Sequence, residues 1–544
     1  MSEKVIVYIT PEVTLDNDLK FYSGGLGEVA GSIARSAHAL GKKMIGVSLC
    51  YGQGYYEQGV NKDGMTVEYK DYRNKRNLRH TGKQCEVSIK GQAVVADIWE
   101  NPAGQYGSMP FYFLDTDIDA NNHLGRINTQ QLYGGSEMTG RNMERMISQS
   151  MVLGIGAVEA PRILGYEVET YHLNESHAMF APLYLLQQEL ASGKSIPEAI
   201  ADVRKKIVFT NHTPIAAGNP KYSVTTMLEL LGFDHAIWRG LLNQLGGDTW
   251  FDATVACLRL ARAANAVSER HLLTCKEQWG DAPDRAPWTA VTNGVTTAYW
   301  QYPEFAKAHD SRTIAHAKAL YKRYLMYYLL GKTDKQFRED VLTIGWFRRF
   351  AEYKRPSIIF RDFEWAANHL KYGHFQIVMG GKPHPDDREM IKVWNEIYAW
   401  GKELPNIAIL AGYDPVMSKV VKAGVDLWLS SPRVPKEACS TSGMAAAMNG
   451  TNLMSTPDGW MCELNPDDIF LYGTQIPTGM YEQDVFDASE MRAMLDNTVI
   501  PLYYDKHAWY EKAARIKRVA EEKYNSHRML EEYYEKLYGY SVWI

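Results

Sequence analysis

The chain has 544 residues, 45% of them hydrophobic and 23% charged, with a formal net charge of −5 at pH 7. That length exceeds the roughly 250–300 residues at which one core stops growing, so two lobes are expected. The slight acidity gives no general electrostatic reason to bind nucleic acid or an anionic membrane. Six cysteines, at positions 50, 85, 257, 275, 439 and 462, form no C-x-x-C pair and no zinc-like spacing, which fits reduced, buried thiols and a cytoplasmic setting. The start MSEKVIVYITPE lacks a basic region followed by an apolar one, and no run of about 18 uncharged apolar residues occurs, so neither a signal peptide nor a membrane span is expected.

Short β-branched runs alternate with segments of helical period, which argues for parallel sheets flanked by helices. In chain order the predicted strands are 4–9, 43–49, 168–173, 206–210, 341–347, 375–380, 406–412 and 425–430. Several are apolar nearly throughout, as strands buried on both faces are. The polar helical stretch 303–340 separates the two sets. This gives a first lobe over 1–302, a connection over 303–340, a second lobe over 341–505 and terminal helices over 506–544.

In open α/β sheets ligands bind beyond the carboxyl ends of the strands, and the residues there are unusual in this chain. The first strand is followed by Glu12 and the glycine turn YSGGLGEVAGS, with Gly24, Gly25 and Gly27. The third leads into Asn174, Glu175 and His177, and the fourth into His212. Beyond 341–347 come Arg348, Arg349, Tyr353, Lys354 and Arg355; beyond 375–380, Gly381, Lys382 and His384; beyond 425–430, Arg433, Glu437 and the stretch STSGMAAAMNG. Six such strand ends point to one cleft between two Rossmann-like lobes.

Each cluster suggests chemistry. The glycine turn lets backbone approach a phosphate or sugar at a helix N-terminus, or serves plain chain geometry. Arg349 and Lys354 combine a planar fork with a point charge, a pairing suited to phosphoryl groups. His212 precedes a fixed Thr-Pro turn that can aim it at a sugar. Asn174, Glu175 and His177 form either a sugar site or a satisfied hydrogen-bond network. Glu437 can bind sugar hydroxyls, and the amides of Ser440, Thr441, Ser442 and Gly443 suit an anion. No metal-ligand spacing such as H-E-x-x-H appears, so no metal is expected.

YSGGLGEVAGS, HLNESHAMF, FTNHTPIAAG, NAVSERH, TNGVTTAYW, IGWFRRFAEYKRP, MGGKPHP and KEACSTSGMAAAMNGTNLMSTPDGW occur in the order, and at about the spacing, of the glycogen (α-glucan) phosphorylase family. The chain resembles its short bacterial and archaeal branch over about residues 5 to 465. The glycine turn is also similar to the K-T-G-G-L-G motif of starch and glycogen synthases, with Tyr22 and Ser23 in place of Lys and Thr. The resemblance implies the two-lobed GT-B glycosyltransferase fold, an α/β fold with a central cleft and a C-terminal helix crossing back. It implies retaining transfer of an α-glucosyl unit, with Gly24 and Gly25 near the departing phosphate, His212 on the sugar, Arg349 and Lys354 on phosphate, and Glu437 with Cys439 and Ser440 in the sugar pocket. It also allows a homodimer.

One position departs from the family. There Met444 would be followed by the lysine that carries pyridoxal phosphate as a Schiff base; here Ala445 follows, then two further alanines. Alanine has no amine, so that covalent cofactor is not expected. The phosphate-holding residues remain, and a nucleoside diphosphate presents two phosphates as the phosphorylase cleft does. The expected activity is therefore a retaining hexosyltransferase that moves glucose from a nucleoside diphosphate sugar to a glucan or small sugar acceptor, with no metal and no covalent cofactor. A phosphorylase with non-covalent or no pyridoxal phosphate, and a catalytically silent glucan-binding protein, are the alternatives.

Overall fold

The computed structural model describes residues 4–232, 235–280 and 284–539. The chain divides into two compact units. The first comprises Met1–Tyr56, Tyr69–Thr292 and His527–Ile544; the second comprises Glu57–Glu68 and Asn293–Ser526.

The first unit is built on a nine-stranded sheet among the described residues: β1 (Val5–Ile9), β2 (Met44–Leu49), β3 (Arg79–Ile89), β4 (Gln92–Asn101), β5 (Phe111–Asp115), β6 (Val168–Asn174), β7 (Ile207–Thr210), β8 (Ala263–Ala266) and β9 (Trp288–Ala290). Their order is β9-β8-β7-β6-β1-β2-β5-β4-β3. Seven run parallel, while β4 and β3 extend the sheet antiparallel. At the centre Val7 pairs with Ile45 on one side and Tyr171 on the other. Every residue of β1, β2 and β5 is buried, the mark of strands covered on both faces. Helix α1 (Gly25–Ala39) follows β1. A Cβ at Gly31 would lie 2.1 Å from the Thr14 carbonyl, so glycine there lets the helix close onto the loop beneath it.

The second unit holds a parallel sheet of six strands among the described residues: β10 (Leu342–Phe347), β11 (Phe375–Gly380), β12 (Ile407–Leu410), β13 (Leu427–Ser430), β14 (Asn452–Ser455) and β15 (Phe470–Leu471), ordered β12-β11-β10-β13-β14-β15. Helix α2 (Ser311–Thr333), within the stretch expected to connect the lobes, belongs to this unit. Its buried Lys318 donates to the carbonyls of Ala423 and Val425 at 2.9 Å and to Thr451 Oγ1 at 2.7 Å, which ties the helix to the sheet connections. The first unit gives way to the second at Asn293 rather than at 303.

The terminal helices divide differently from the expected 506–544 block. Helix α4, as the helix Lys506–Lys523 is labelled here after α3 (Thr441–Ala447), buries Trp509 beside Tyr503 and Phe470 in the second core. Only from His527 does the chain join the first unit, where Met529, Leu530, Tyr533 and Tyr538 enter the core. Residues from 540 onward lie outside the described ones. Of the six cysteines expected to be buried, five are; Cys462 is exposed. Among the described residues no helix is long and apolar enough to cross a membrane.

Candidate functional site

Each sheet reverses its winding at one strand. In the first unit, crossovers run from β1 to β2 and β5 on one side and through β6, β7, β8 and β9 on the other, so the loops after β1 and β6 lie side by side. In the second, the loops after β10 and β13 are so placed. Such switch points are where open α/β sheets bind ligands.

After β1, Thr10 Oγ1 donates to the Glu12 carbonyl at 2.8 Å and accepts from Asn174 Nδ2 at 2.9 Å, joining the two loops. The Glu12 carboxylate is buried. It accepts from the Ser23 amide and hydroxyl, the Gly24 amide at 3.2 Å and the Tyr133 hydroxyl at 2.6 Å. Burial raises its pKa above the usual carboxylate value despite these donors. The glycine turn is thus wrapped around an internal carboxylate. The Gly24 amide, expected near a departing phosphate, already serves Glu12; Gly25 is exposed at the first residue of α1.

After β6, four successive residues each carry a buried polar atom with no hydrogen-bond partner: Asn174 Oδ1, Glu175 Oε2, Ser176 Oγ and His177 Nδ1. Buried polar atoms are nearly always paired, so this cluster suits a molecule rich in hydroxyls. Glu175 sits at φ +73, ψ 160, a region almost reserved for glycine, at a cost of about 1–3 kcal/mol. Its Oε1 accepts from the His212 amide at 2.7 Å, and burial pushes its carboxyl up to about 8. Burial lowers His212 to about 3 and His177 to about 4, so both rings are neutral near pH 7. The ring of Tyr133 lies 5.4 Å from that of His177.

In the second unit the loops after β10 and β13 meet at Glu437. Its carboxylate receives Arg348 Nη2 at 2.8 Å and Lys354 Nζ at 2.7 and 2.9 Å. All three side chains are at most 10% exposed. Burial pushes the Glu437 pKa up, but the two cations outweigh it and hold it below the usual range. Arg348 Nη2 also donates to Ser440 Oγ at 2.9 Å, while its Nη1 is buried without a hydrogen-bond partner. Asp458 accepts the Glu437 amide at 2.8 Å, and Trp460 Nε1 donates to the Ser440 carbonyl at 3.0 Å. Ser440 is left-handed at φ +77, just before α3. The Gly443 amide bonds the Ser440 carbonyl at 3.2 Å, so of the four amides expected to meet an anion this one is used within the turn. Cys439 is buried beside them.

The residues named from sequence thus fall into two groups. Gly24, Gly25, Asn174, Glu175, His177 and His212 gather in the first unit, and Lys354, Glu437, Cys439, Ser440, Thr441, Ser442 and Gly443 in the second. Arg349 is exposed; the guanidinium buried against Glu437 belongs to Arg348, its neighbour. Strand alternation holds the signal, because two consecutive residues at a strand end turn to opposite sides. Tyr133 and Asp458 were not singled out in sequence; neither lies at the end of a predicted strand.

Ala445 is buried in α3, and its carbonyl accepts from Asn449 Nδ2 at 2.8 Å. A methyl group has no amine, so residue 445 itself cannot form a Schiff base with a pyridoxal aldehyde. Among the described residues no group of three or more His, Cys, Asp or Glu could hold a metal ion.

Residues 6–278 match the family described as starch synthase catalytic domain. An uncharacterized protein of Methanocaldococcus jannaschii is 34% identical over 544 residues, covering 98% of this chain and 100% of that protein. The maltodextrin phosphorylase of Thermococcus litoralis is 31% identical, covering 99% of this chain and 71% of that protein. The glycogen phosphorylase of Aquifex aeolicus is 30% identical, covering 99% and 86%.

Proposed function

Because the chain belongs to the glycogen (α-glucan) phosphorylase family and is a glycosyltransferase of GT-B type, we propose that it transfers glucose, or a similar hexose, with retention from a nucleoside diphosphate sugar to a glucan or small sugar acceptor. The observation that carries this reading is the Arg348–Glu437–Lys354 cluster. It keeps two buried cations and an unpartnered guanidinium nitrogen beside Ser440, and position 445 carries alanine, which has no amine to form a Schiff base. Both features support a phosphate-bearing leaving group used without a pyridoxal anchor at residue 445.

In this reading the bond from the sugar C1 to the diphosphate oxygen breaks while Arg348, Arg349, Lys354 and the amides of Thr441 and Ser442 stabilise the developing charge. The acceptor hydroxyl bonds to C1 from the same face and gives its proton to a departing phosphate oxygen. Glu437, kept ionised by its cations, accepts from sugar hydroxyls. Neutral His212 and the Asn174–His177 segment supply hydrogen-bonding partners for a sugar.

A second reading, phosphorolysis of an α-glucan without covalent pyridoxal phosphate, draws on the phosphorylase names of two relatives. Incubation with UDP-, ADP- or GDP-glucose plus maltodextrin, and separately with phosphate plus maltodextrin, distinguishes them. Product only from the phosphate mixture overturns the nucleotide-sugar reading, and product from neither favours a silent glucan binder. In the active mixture, Arg349→Ala is expected to lower turnover about a hundred- to thousandfold with the thermal midpoint unchanged, since the residue is exposed. Near-parental activity in that variant would remove Arg349 from the phosphate site.

A further inference from the structure

Residues 57–68 belong to the second unit although the chain on both sides of them belongs to the first. Strands Glu57–Asn61 and Gly64–Glu68 form an antiparallel hairpin, with Val60 and Met65 packed on the second core and the Met65 amide donating to Asn395 Oδ1 at 2.8 Å. From this hairpin the Gln58 side chain, 6% exposed, reaches loops at the ligand end of the sheet. Its Oε1 accepts the Gly412 amide at 3.0 Å and its Nε2 donates to the Gly381 carbonyl at 3.3 Å. One amide therefore ties together the loops that follow neighbouring strands β11 and β12.

Gly381 lies directly on the backbone of Arg348. At φ +133 a Cβ there would be 1.7 Å from the Arg348 carbonyl oxygen, so only glycine permits the approach. The Arg348 amide donates to Gly380 and the Phe350 amide to Lys382, both at 3.1 Å, so the loop after β11 is stitched to the segment that begins the cation cluster. Whatever fixes Gly381 fixes the origin of the Arg348 side chain, whose far end bridges Glu437 and Ser440.

We propose that Gln58 is a positioning residue for the anion-holding cluster: its amide clamps the loops after β11 and β12 against the backbone of Arg348 and so sets where the guanidinium lies. The phosphate-holding part of this inference rests on the function proposed above; the clamping part does not. A leucine would fill the space of Gln58 but make neither hydrogen bond, leaving the half-buried Gly412 amide and the buried Gly381 carbonyl without these partners.

The test uses the full-length chain and Gln58→Leu, with two readouts. Hydrogen–deuterium exchange is followed in peptides covering 348–355 and 381–384, with β14 as an internal control, and inorganic pyrophosphate affinity is measured by calorimetry. We expect exchange at 348–355 and 381–384 to rise about tenfold with β14 unchanged, and pyrophosphate Kd to rise about tenfold. Gln58→Glu, which keeps the acceptor for Gly412 but sets an oxygen against the Gly381 carbonyl, is expected to behave alike. Parental exchange at 348–355 in Gln58→Leu overturns the proposal. Should that variant fail to fold, Asn395→Ala, which loosens the hairpin's other anchor, is expected to raise exchange in the same two peptides; no change there also overturns it. A parental protein that binds no pyrophosphate defeats the phosphate-site reading, while the exchange data still decide the clamp.

Discussion

Lowering the pH from 7 to 5 is expected to weaken the first unit, by up to about 4 kcal/mol per pH unit below pH 6.5. Four histidines of that unit are held neutral. His172 is lowered to about 3 by burial, aided by the charges of His212 and Arg262; His212 and His271 are lowered to about 3, and His177 to about 4, chiefly by burial. His172 is also locked between the Tyr538 hydroxyl at 2.7 Å and Thr210 Oγ1 at 2.6 Å.

The folded pKa values lie below the unfolded one, so the unfolded chain binds more protons as pH falls. Their contribution is fully present above about pH 6.5 and is lost as pH drops towards 3–4. Glu175 works in the opposite sense. Its raised pKa, about 8, makes the folded state the better proton binder between pH 4.5 and 8, so it offsets one of the four histidines below pH 6.5 and costs stability above it. His177 and His212 are only half-buried, and solvent screening makes the quoted slope an upper figure. Typical domain stabilities of about 5–15 kcal/mol would be exhausted within a few pH units. Urea unfolding followed by circular dichroism at pH 7, 6 and 5 measures this directly, and a midpoint that does not move would contradict it.

Glu437→Ala should cost about 3–5 kcal/mol, because it leaves the buried Arg348 and Lys354 without their shared counter-charge. The same arithmetic predicts a partial rescue. Replacing Arg348 and Lys354 by methionine in the Glu437→Ala background removes the stranded charges and should restore much of the loss, since apolar residues often substitute for a buried ion pair at little cost. Glu437 titrates below the usual carboxylate range, so its stabilisation is present above the unfolded pKa and is lost as pH falls through the folded one. A Glu437→Ala protein as stable as its parent, judged by thermal unfolding at pH 7, would mean that the three groups are not held as described.

The eight strands predicted from sequence all occur, within one or two residues of their expected ends, because runs such as VIVYI and LTIGWF are buried on both faces and read as apolar without interruption. Of the strands not foreseen, Phe111–Asp115 is as fully buried as these and was passed over, whereas several others lack that signature. Ala263–Ala266 is alanine and asparagine, with no β-branched residue, and is held by pairing to β7 and β9. Arg79–Ile89 and Gln92–Asn101 alternate polar and apolar residues as a half-exposed antiparallel pair does, a period-two signal that a search for parallel runs passes over. Within the site, chemistry was legible at the level of segments but not of side chains. That Arg348 rather than Arg349 reaches Glu437 depends on which face each strand-end residue takes. That Glu12 already fills the glycine turn depends on contacts between residues 11 and 12 positions apart within the connection from β1 to α1, a matter of chain path rather than residue type.

The excursion of residues 57–68 into the second unit, and the return of the chain to the first at His527, bear on how the protein is made. On the ribosome the small hairpin emerges more than two hundred residues before the sheet it docks on, and the first unit's core stays open until its final tyrosines appear. Neither half can therefore mature while its own central stretch is being translated, so folding is expected to be largely post-translational. A gene cut between 292 and 293 would yield two polypeptides that each lack a piece of themselves, and such halves should gain structure only when produced together.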